Sequence, residues 1–318
     1  LRRGIGEDQI VCKRYTEMDI PENITAKQMY DELTAAMAGK GHCYLLLDEI
    51  QEITGWEKAV NSLLESADAD IYVTGSNSKL MSSEISTYLT GRYVSIPVYT
   101  LSFKEYLDFK ADSTLSRREL LEEYIRFGGF PIIALSEYDE QSAYQIVNGI
   151  YHTVVSRDIV KRHRINKQDL FDRVVKYIIE NMGKTFSANS ISTFLKSEHR
   201  KVSVESIYNY LRWLEQAFII YPCERYDLQG KSILKTQEKY YLADVSLKYA
   251  LLGYNRKMLD GAMENIVYLE LKRRGYDVYI GKNDTKEIDF VATRRDERIY
   301  VQVCVRIPEA SDRAVGSL

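Results

Sequence analysis

Hydrophobic positions recur along this chain with two periods, two and about 3.6, and the switches between them mark out its elements. Residues 9–15 read as a short strand, and residues 24–37 as an amphipathic helix with Met29, Leu33 and Met37 on one face. The apolar run 43–47 predicts a second strand, Asn61, Leu63 and Leu64 belong to a second helix, and residues 70–74 predict a third strand that stops at Gly75. Such alternation favours a parallel sheet covered on both faces, with ligands beyond the carboxyl ends of the strands. Asp48 and the segment from Thr74 to Asn77 fall at such ends. A fourth strand is expected at residues 93–99.

From Ser102 the pattern turns helical, and Gly128-Gly129-Phe130-Pro131 interrupts it as a strong breaker. Residues 150–244 predict three helices and then a hairpin over 219–242, with a turn at Leu228-Gln229-Gly230-Lys231. Beyond Val245 come a helix carrying Glu264 and Glu270 and strands at 277–280, 287–292 and 299–305. The chain contains no internal repeat and no low-complexity tract.

Composition narrows the class. A chain of 318 residues holds two or three domains. Its 43 Lys and Arg against 46 Asp and Glu argue against a wholly basic nucleic-acid coat while leaving room for local basic patches. Cys12, Cys43, Cys223 and Cys304 lie far apart, which suggests neither a disulfide framework nor a zinc site and fits a cytoplasmic setting. No apolar run approaches the roughly 20 residues that span a bilayer, so a soluble protein without a membrane partner is expected.

The segment Tyr44-Leu45-Leu46-Leu47-Asp48-Glu49 is an apolar strand ending in two adjacent carboxylates, the form of a Walker B element. In a hydrolytic P-loop site the first acid, here Asp48, holds magnesium through water, and the second, Glu49, orients or activates the attacking water. The blander account is a strand that ends in a polar turn. Thr74-Gly75-Ser76-Asn77 adds weight, because a polar side chain at the end of the neighbouring strand, such as Ser76 or Asn77, can hold the lytic water or touch the terminal phosphate. Thr74 belongs to the same nucleotide-binding group, and Arg92 after Gly91 is a candidate charge-stabilising finger, although a lone surface Arg is more often a solvated charge. Gly183-Lys184-Thr185 and Gly230-Lys231-Ser232 imitate the end of a phosphate loop, but the required first glycine is Ile178 in one and Arg225 in the other.

Together with these motifs, Gly55-Trp56-Glu57, Leu89-Thr90-Gly91-Arg92-Tyr93, Leu101-Ser102-Phe103-Lys104-Glu105-Tyr106, Arg126-Phe127-Gly128-Gly129-Phe130-Pro131 and Glu264-Asn265-Ile266-Val267-Tyr268-Leu269-Glu270-Leu271 make the chain resemble a known group. These are bacterial and archaeal AAA-type ATPases with a C-terminal domain of unknown function. The resemblance implies an α/β fold with a parallel P-loop sheet, ATP and Mg2+ as cofactors, and a possible homo-oligomer in which Arg92 acts across the subunit interface. The family places a P-loop strand between the strands expected at 70–74 and 93–99, upstream in sequence of Leu1. The native protein is therefore expected to be longer, and the chain as it stands to be inactive as an ATPase. The implied division is 1–108 as ATPase core without the phosphate loop, 109–165 as helical lid and connector, 166–243 as a winged helix, and 244–318 as a degenerate nuclease-like domain.

Residues 186–242 look like a winged helix, with Val204, Ile207, Tyr208, Leu211 and Leu214 as the inward face of its second helix. Lys196, His199, Arg200, Lys201 and Arg212 lie where phosphate contacts to DNA would be made, although winged helices also serve as protein-interaction modules. Lys161-Arg162-His163-Arg164 is a second basic patch that reads as a solvated helix face. The C-terminal segment resembles the PD-(D/E)xK nuclease fold, in which Glu264 and Asp289 match two acids while Gln302 and Cys304 stand where a carboxylate and a lysine belong. Losing both weakens metal affinity and catalysis, so a noncatalytic domain is expected. The leading function is an ATPase that couples nucleotide state to these domains on or near DNA; the alternative is a nonenzymatic, nucleotide-gated DNA-binding regulator.

Overall fold

The computed structural model describes residues 5–17, 20–21, 23–75, 88–227, 232–254, 259–283 and 286–304, with backbone alone at 232–237, 259–260, 283 and 286. They fall into two units, Leu1–Ile96 and Pro97–Leu318.

In the first unit β1 (Ile10–Arg14), β2 (Cys43–Asp48) and β3 (Ala69–Val73) form a parallel sheet in that order, with β2 central. Parallel strands require crossovers, here α1 (Ala26–Met37) and α2 (Trp56–Ser66). Thr25 and Gln28 start α1 with a reciprocal capping box, in which the Gln28 N–H donates to Thr25 Oγ1 at 3.2 Å and the Thr25 N–H donates to Gln28 Oε1 at 2.9 Å. Leu45 and Leu47 of β2 are fully buried against Met29 and Leu33 of α1 and Trp56, Val60 and Leu63 of α2. Each such side chain contributes about 1.5–3 kcal/mol by leaving water.

Both helices thus cover one face of the sheet. On the other, the register partners Leu46 and Tyr72 are 40% and 53% exposed. The pattern favoured helices on both faces, but right-handed crossovers in the strand order β1-β2-β3 place α1 and α2 on the same side. The strand expected at 93–99 is not formed: Val94, Ile96 and Val98 are 87%, 79% and 91% exposed. Their alternation has the strand period, but among the described residues this segment has no ladder partner for its backbone, and Pro97 offers no N–H.

The second unit opens with helices: α3 (Phe103–Phe109), α4 (Arg117–Phe127), α5 (Pro131–Ala134) and α6 (Glu140–Val154), the last running into a π-helical stretch, Val155–Lys161. Three more follow, α7 (Gln168–Glu180), α8 (Ala188–Ser197) and α9 (Val204–Gln216). The breaker after α4 is a latch. Gly128 has φ 76°, a Cβ there would lie 1.7 Å from Asp244 Oδ1, and the Gly129 N–H donates to Asp244 Oδ2 at 2.8 Å. Asp244, 2% exposed, also accepts from the Ser246 N–H at 2.9 Å and the Ser246 hydroxyl at 2.5 Å.

After α9, β4 (Ile220–Asp227) and β5 (Ser232–Leu242) form an antiparallel pair. This hairpin is not a free wing. It continues into a five-stranded sheet, β5-β4-β6-β7-β8, through parallel pairing of Arg225–Asp227 with Ile280, Gly281 and Lys282 of β6 (Asp277–Asn283). The sheet is completed by β7 (Lys286–Arg294) and β8 (Glu297–Val301), with α10 (Ser246–Leu252) and α11 (Leu259–Arg273) between β5 and β6. Asn265 of α11, fully buried, ties helix to sheet: its Oδ1 accepts from the Leu242 N–H at 2.6 Å and its Nδ2 donates to the Leu242 carbonyl at 2.9 Å.

Two expectations about single elements are corrected. The buried face of α9 is Ile207, Tyr210, Leu211 and Leu214, whereas Tyr208 is 59% exposed. Counted from Ile207, positions 210, 211 and 214 complete the i, i+3, i+4, i+7 stripe; counted from Val204, position 208 falls on one too, and packing selects the first, with Val204 only partly buried. The last strand ends at Val301, so Gln302 and Cys304 lie in irregular backbone beyond it; the Val303 N–H donates to the Asp289 carboxylate at 2.7 Å in place of a ladder bond.

Candidate functional site

Among the described residues the three strands of the first unit end side by side, and β2 presents Asp48 and then Glu49 at its carboxyl end. Thr74, just past β3, links the pair. Its hydroxyl donates to Asp48 Oδ1 and accepts from the Glu49 N–H at 3.3 Å. Glu49 has left-handed backbone, φ 53° and ψ 42°, which a non-glycine residue adopts at a cost of order 1 kcal/mol. The turn reverses the chain as it leaves the strand, and the Gln51 side-chain amide donates to the Glu49 carboxylate. The Asp48 carboxylate is 47% exposed, so one acid is held by a hydroxyl and stays open to solvent while the next is held by an amide.

Arg14 is a member of this group that motif reading missed. Its Nε lies 3.9 Å from Asp48 Oδ2, and the two residues are register partners at the ends of β1 and β2. The signal was available in the strand ends, since Arg14 closes β1 as Asp48 closes β2. Arg92, in contrast, is held on α2, donating to Asn61 Oδ1 and Glu65 Oε1 at 3.1 Å each. Ser76 and Asn77 lie outside the described residues, as do Gly230 and Lys231. Gly183-Lys184-Thr185 sits in the connection between α7 and α8, with no strand leading into it.

Around α7 to α9 the basic residues are unequal. Arg200 donates to Asp169 Oδ2 at 3.1 Å, which offsets its charge and weakens the expectation that it meets phosphate. Lys196 and Lys201 are exposed, and Arg212 is exposed with its guanidinium on Asn209 of its own helix. The His163 ring from the second patch stacks on Trp213, with centroids 4.2 Å apart, so that patch is more than a solvated face. Burial pushes the His163 imidazole below its ordinary value, and the neighbouring Arg162 and Arg212 push it the same way.

At the C-terminal sheet, Glu264 of α11 and Asp289 of β7 come together with two residues that the motif did not include, Lys239 of β5 and Glu287 of β7. Lys239 is 5% exposed; its Nζ lies 2.6 Å from Glu287 Oε1 and 3.6 Å from Glu264 Oε2. Burial alone would lower the Lys239 ammonium, but the Glu264, Glu287 and Asp289 carboxylates outweigh it and raise it. Burial pushes Glu264 and Asp289 up, against the pull of Lys239 on each. The Tyr241 hydroxyl donates to Glu264 Oε2 at 3.2 Å, and Gln302 Nε2 donates to Asp289 Oδ2 at 2.8 Å. Cys304 is an exposed free thiol.

Comparison with known proteins gives two family matches: an AAA domain over residues 8–107, and a domain of unknown function, DUF8612, over residues 118–257. An uncharacterized protein of Haemophilus influenzae is 42% identical over 268 residues, covering 84% of this chain and 66% of its own length. One of Methanocaldococcus jannaschii is 33% identical over 304 residues, covering 91% of this chain and 67% of its own length. The chain thus spans about two thirds of the length of these relatives. Among solved structures, a Walker-type ATPase of Pyrococcus abyssi is 14% identical, with a TM-score of 0.49 over 76% of this chain and 83% of that one.

Proposed function

The chain belongs to the same family as the Methanocaldococcus jannaschii protein and carries an AAA domain, and from this premise we propose that it is an ATP-binding and hydrolysing protein. The observation that carries the reading is the Asp48–Thr74–Glu49 arrangement at the end of the central parallel strand. Ligands in such folds bind beyond the carboxyl ends of the strands. Asp48, half exposed with one oxygen on the Thr74 hydroxyl, fits a water-mediated Mg2+ contact, for which a single carboxylate beside solvent and phosphate suffices. When bound, Mg2+ supplies charge neutralisation at the phosphates.

The residues of the chain do the rest. Glu49 accepts the proton of the water that attacks the terminal phosphate, with Gln51 fixing its carboxylate. Thr74 fixes Asp48, and Ser76 or Asn77 holds the water or the phosphate. Arg14 balances the charge of Asp48 when nucleotide is absent. Arg92 in this reading acts on a neighbouring subunit's nucleotide after leaving Glu65. Residues 166–243, whose helices resemble a winged helix although the hairpin is built into the five-stranded sheet, present the exposed Lys196, Lys201 and Arg212 to DNA phosphates, and nucleotide state sets how that region engages DNA.

The test is Glu49→Gln in the whole protein as encoded. ATP turnover is expected to fall on the order of 10²–10³-fold with nucleotide binding retained, because the amide keeps the size of the side chain and removes the base. Equal turnover in wild type and variant would sink the assignment.

A further inference from the structure

The cluster at the C-terminal sheet supports a conclusion that is independent of the ATPase reading. A nuclease-like fold implies a divalent cation held by Glu264 and Asp289. The residues present do not fit that ion. The ammonium of Lys239, a residue 5% exposed, already stands beside these acids, 3.6 Å from Glu264 Oε2 and 2.6 Å from Glu287 Oε1. Asp289 is also occupied: its Oδ2 accepts from Gln302 Nε2 at 2.8 Å and from the Val303 N–H at 2.7 Å. Gln302, where a second carboxylate would stand, is a neutral amide and brings no charge to a metal. Among the described residues no group of three or more His, Cys, Asp or Glu side chains is arranged to hold a metal ion.

We propose that Lys239 is the resident cation of this cluster, taking the place of a divalent metal ion and clamping β5 to α11 and β7. The chemistry favours a fixed ammonium over an exchangeable ion. Glu264 and Asp289, drawn largely out of water, and Glu287 at the exposed edge beside them repel one another, and a cation near them offsets that cost. An ammonium anchored on β5 is present in every molecule at every metal concentration. It also joins strands that the sheet leaves apart, since β4 and β6 lie between β5 and β7 in the ladder order. The loop after α7 closes over the same point: Gly183, at φ 75°, donates its N–H to the Tyr240 carbonyl at 3.2 Å, and a Cβ there would come within 3.3 Å of Glu264 Oε2. The clamp therefore holds the three-helix segment, the hairpin and the C-terminal strands as one body, and the domain works without metal.

The experiment is a Mn2+ titration of the full chain without nucleotide, followed by calorimetry, on wild type, Glu264→Gln and Lys239→Met. Wild type and Glu264→Gln should give the same isotherm. Lys239→Met keeps most of the apolar stem and removes the charge, so it should unfold at a lower temperature and bind Mn2+ at least about tenfold more tightly than wild type. That gain should disappear in Lys239→Met combined with Glu264→Gln. If Lys239→Met does not fold, wild type against Glu264→Gln still decides: Mn2+ binding by wild type that Glu264→Gln abolishes would overturn the proposal, and equal isotherms would uphold it. A folded Lys239→Met that binds Mn2+ no better than wild type would also overturn it. None of these readings depends on turnover at Glu49, so this proposal and the ATPase assignment fail separately.

Discussion

Thr74 illustrates how one hydroxyl organises a pair of acids. It donates to Asp48 and accepts from the Glu49 backbone, so it sets both the direction of the first carboxylate and the left-handed turn that carries the second. Replacing Thr74 by Val keeps the shape and removes both contacts. ATP turnover should then drop about 5- to 10-fold, the rate equivalent of a hydrogen bond worth about 1 kcal/mol. Folding stability, read from urea denaturation, should change by under about 0.5 kcal/mol, because the residue is exposed. Glu215 of α9 makes a different test. Burial, reinforced by the Glu238 carboxylate, pushes it from 4.5 up to about 7. A raised acid binds its proton more tightly in the folded state, so its stabilising effect is complete below the unfolded value and is lost as pH rises through about 7. Urea midpoints at pH 5 and pH 7.5 should therefore differ in wild type and converge in Glu215→Gln; an unchanged difference would count against the shift.

Among the elements, α9 separates what a periodicity can and cannot specify. The helix was legible from its apolar spacing and from Ser203 at its start, whose hydroxyl accepts from the Ser206 N–H at 3.0 Å. The choice of Tyr210 over Tyr208 for the buried face was not, because both tyrosines lie within one turn of Ile207 and only packing separates them. Leu214→Ala should cost about 2–5 kcal/mol in urea denaturation, whereas Tyr208→Ala should stay within about 0.5 kcal/mol. Comparable losses in the two variants would mean that the helix turns Tyr208 toward the core. The hairpin after α9 makes a similar point: its strands were predictable, but their membership of a five-stranded sheet depends on β6, some 50 residues later in the chain.

For the whole molecule, a parallel sheet with crossover helices fits an AAA-type α/β fold, and the second unit carries the regions proposed to meet DNA. If nucleotide state governs DNA contact, the two binding events share one coupling free energy and must affect each other equally. DNA affinity of Glu49→Gln, measured by fluorescence anisotropy with and without ATP, should differ about 5-fold or more, and DNA should change ATP affinity by the same factor. Affinity should also fall with added salt, and less steeply after Lys201→Ala and Arg212→Ala than after Arg200→Ala, since Asp169 already engages Arg200. Salt-insensitive binding, or none, would leave the protein-interaction account of this region standing.

The order of elements apart from the strand expected at 93–99, the carboxylates at the end of β2, the break at Gly128 to Pro131 and the acids Glu264 and Asp289 could be read from the residues, because each depends on local period, turn chemistry or motif spacing. Partnership could not. Arg14 beside Asp48, Lys239 among Glu264, Glu287 and Asp289, Asp169 on Arg200, and the absent ladder at residues 93–99 each rest on contacts between positions distant in the chain. A charge in a sequence shows what a residue offers; burial and the neighbours that folding brings to it decide whether the charge serves a ligand or is offset within the protein.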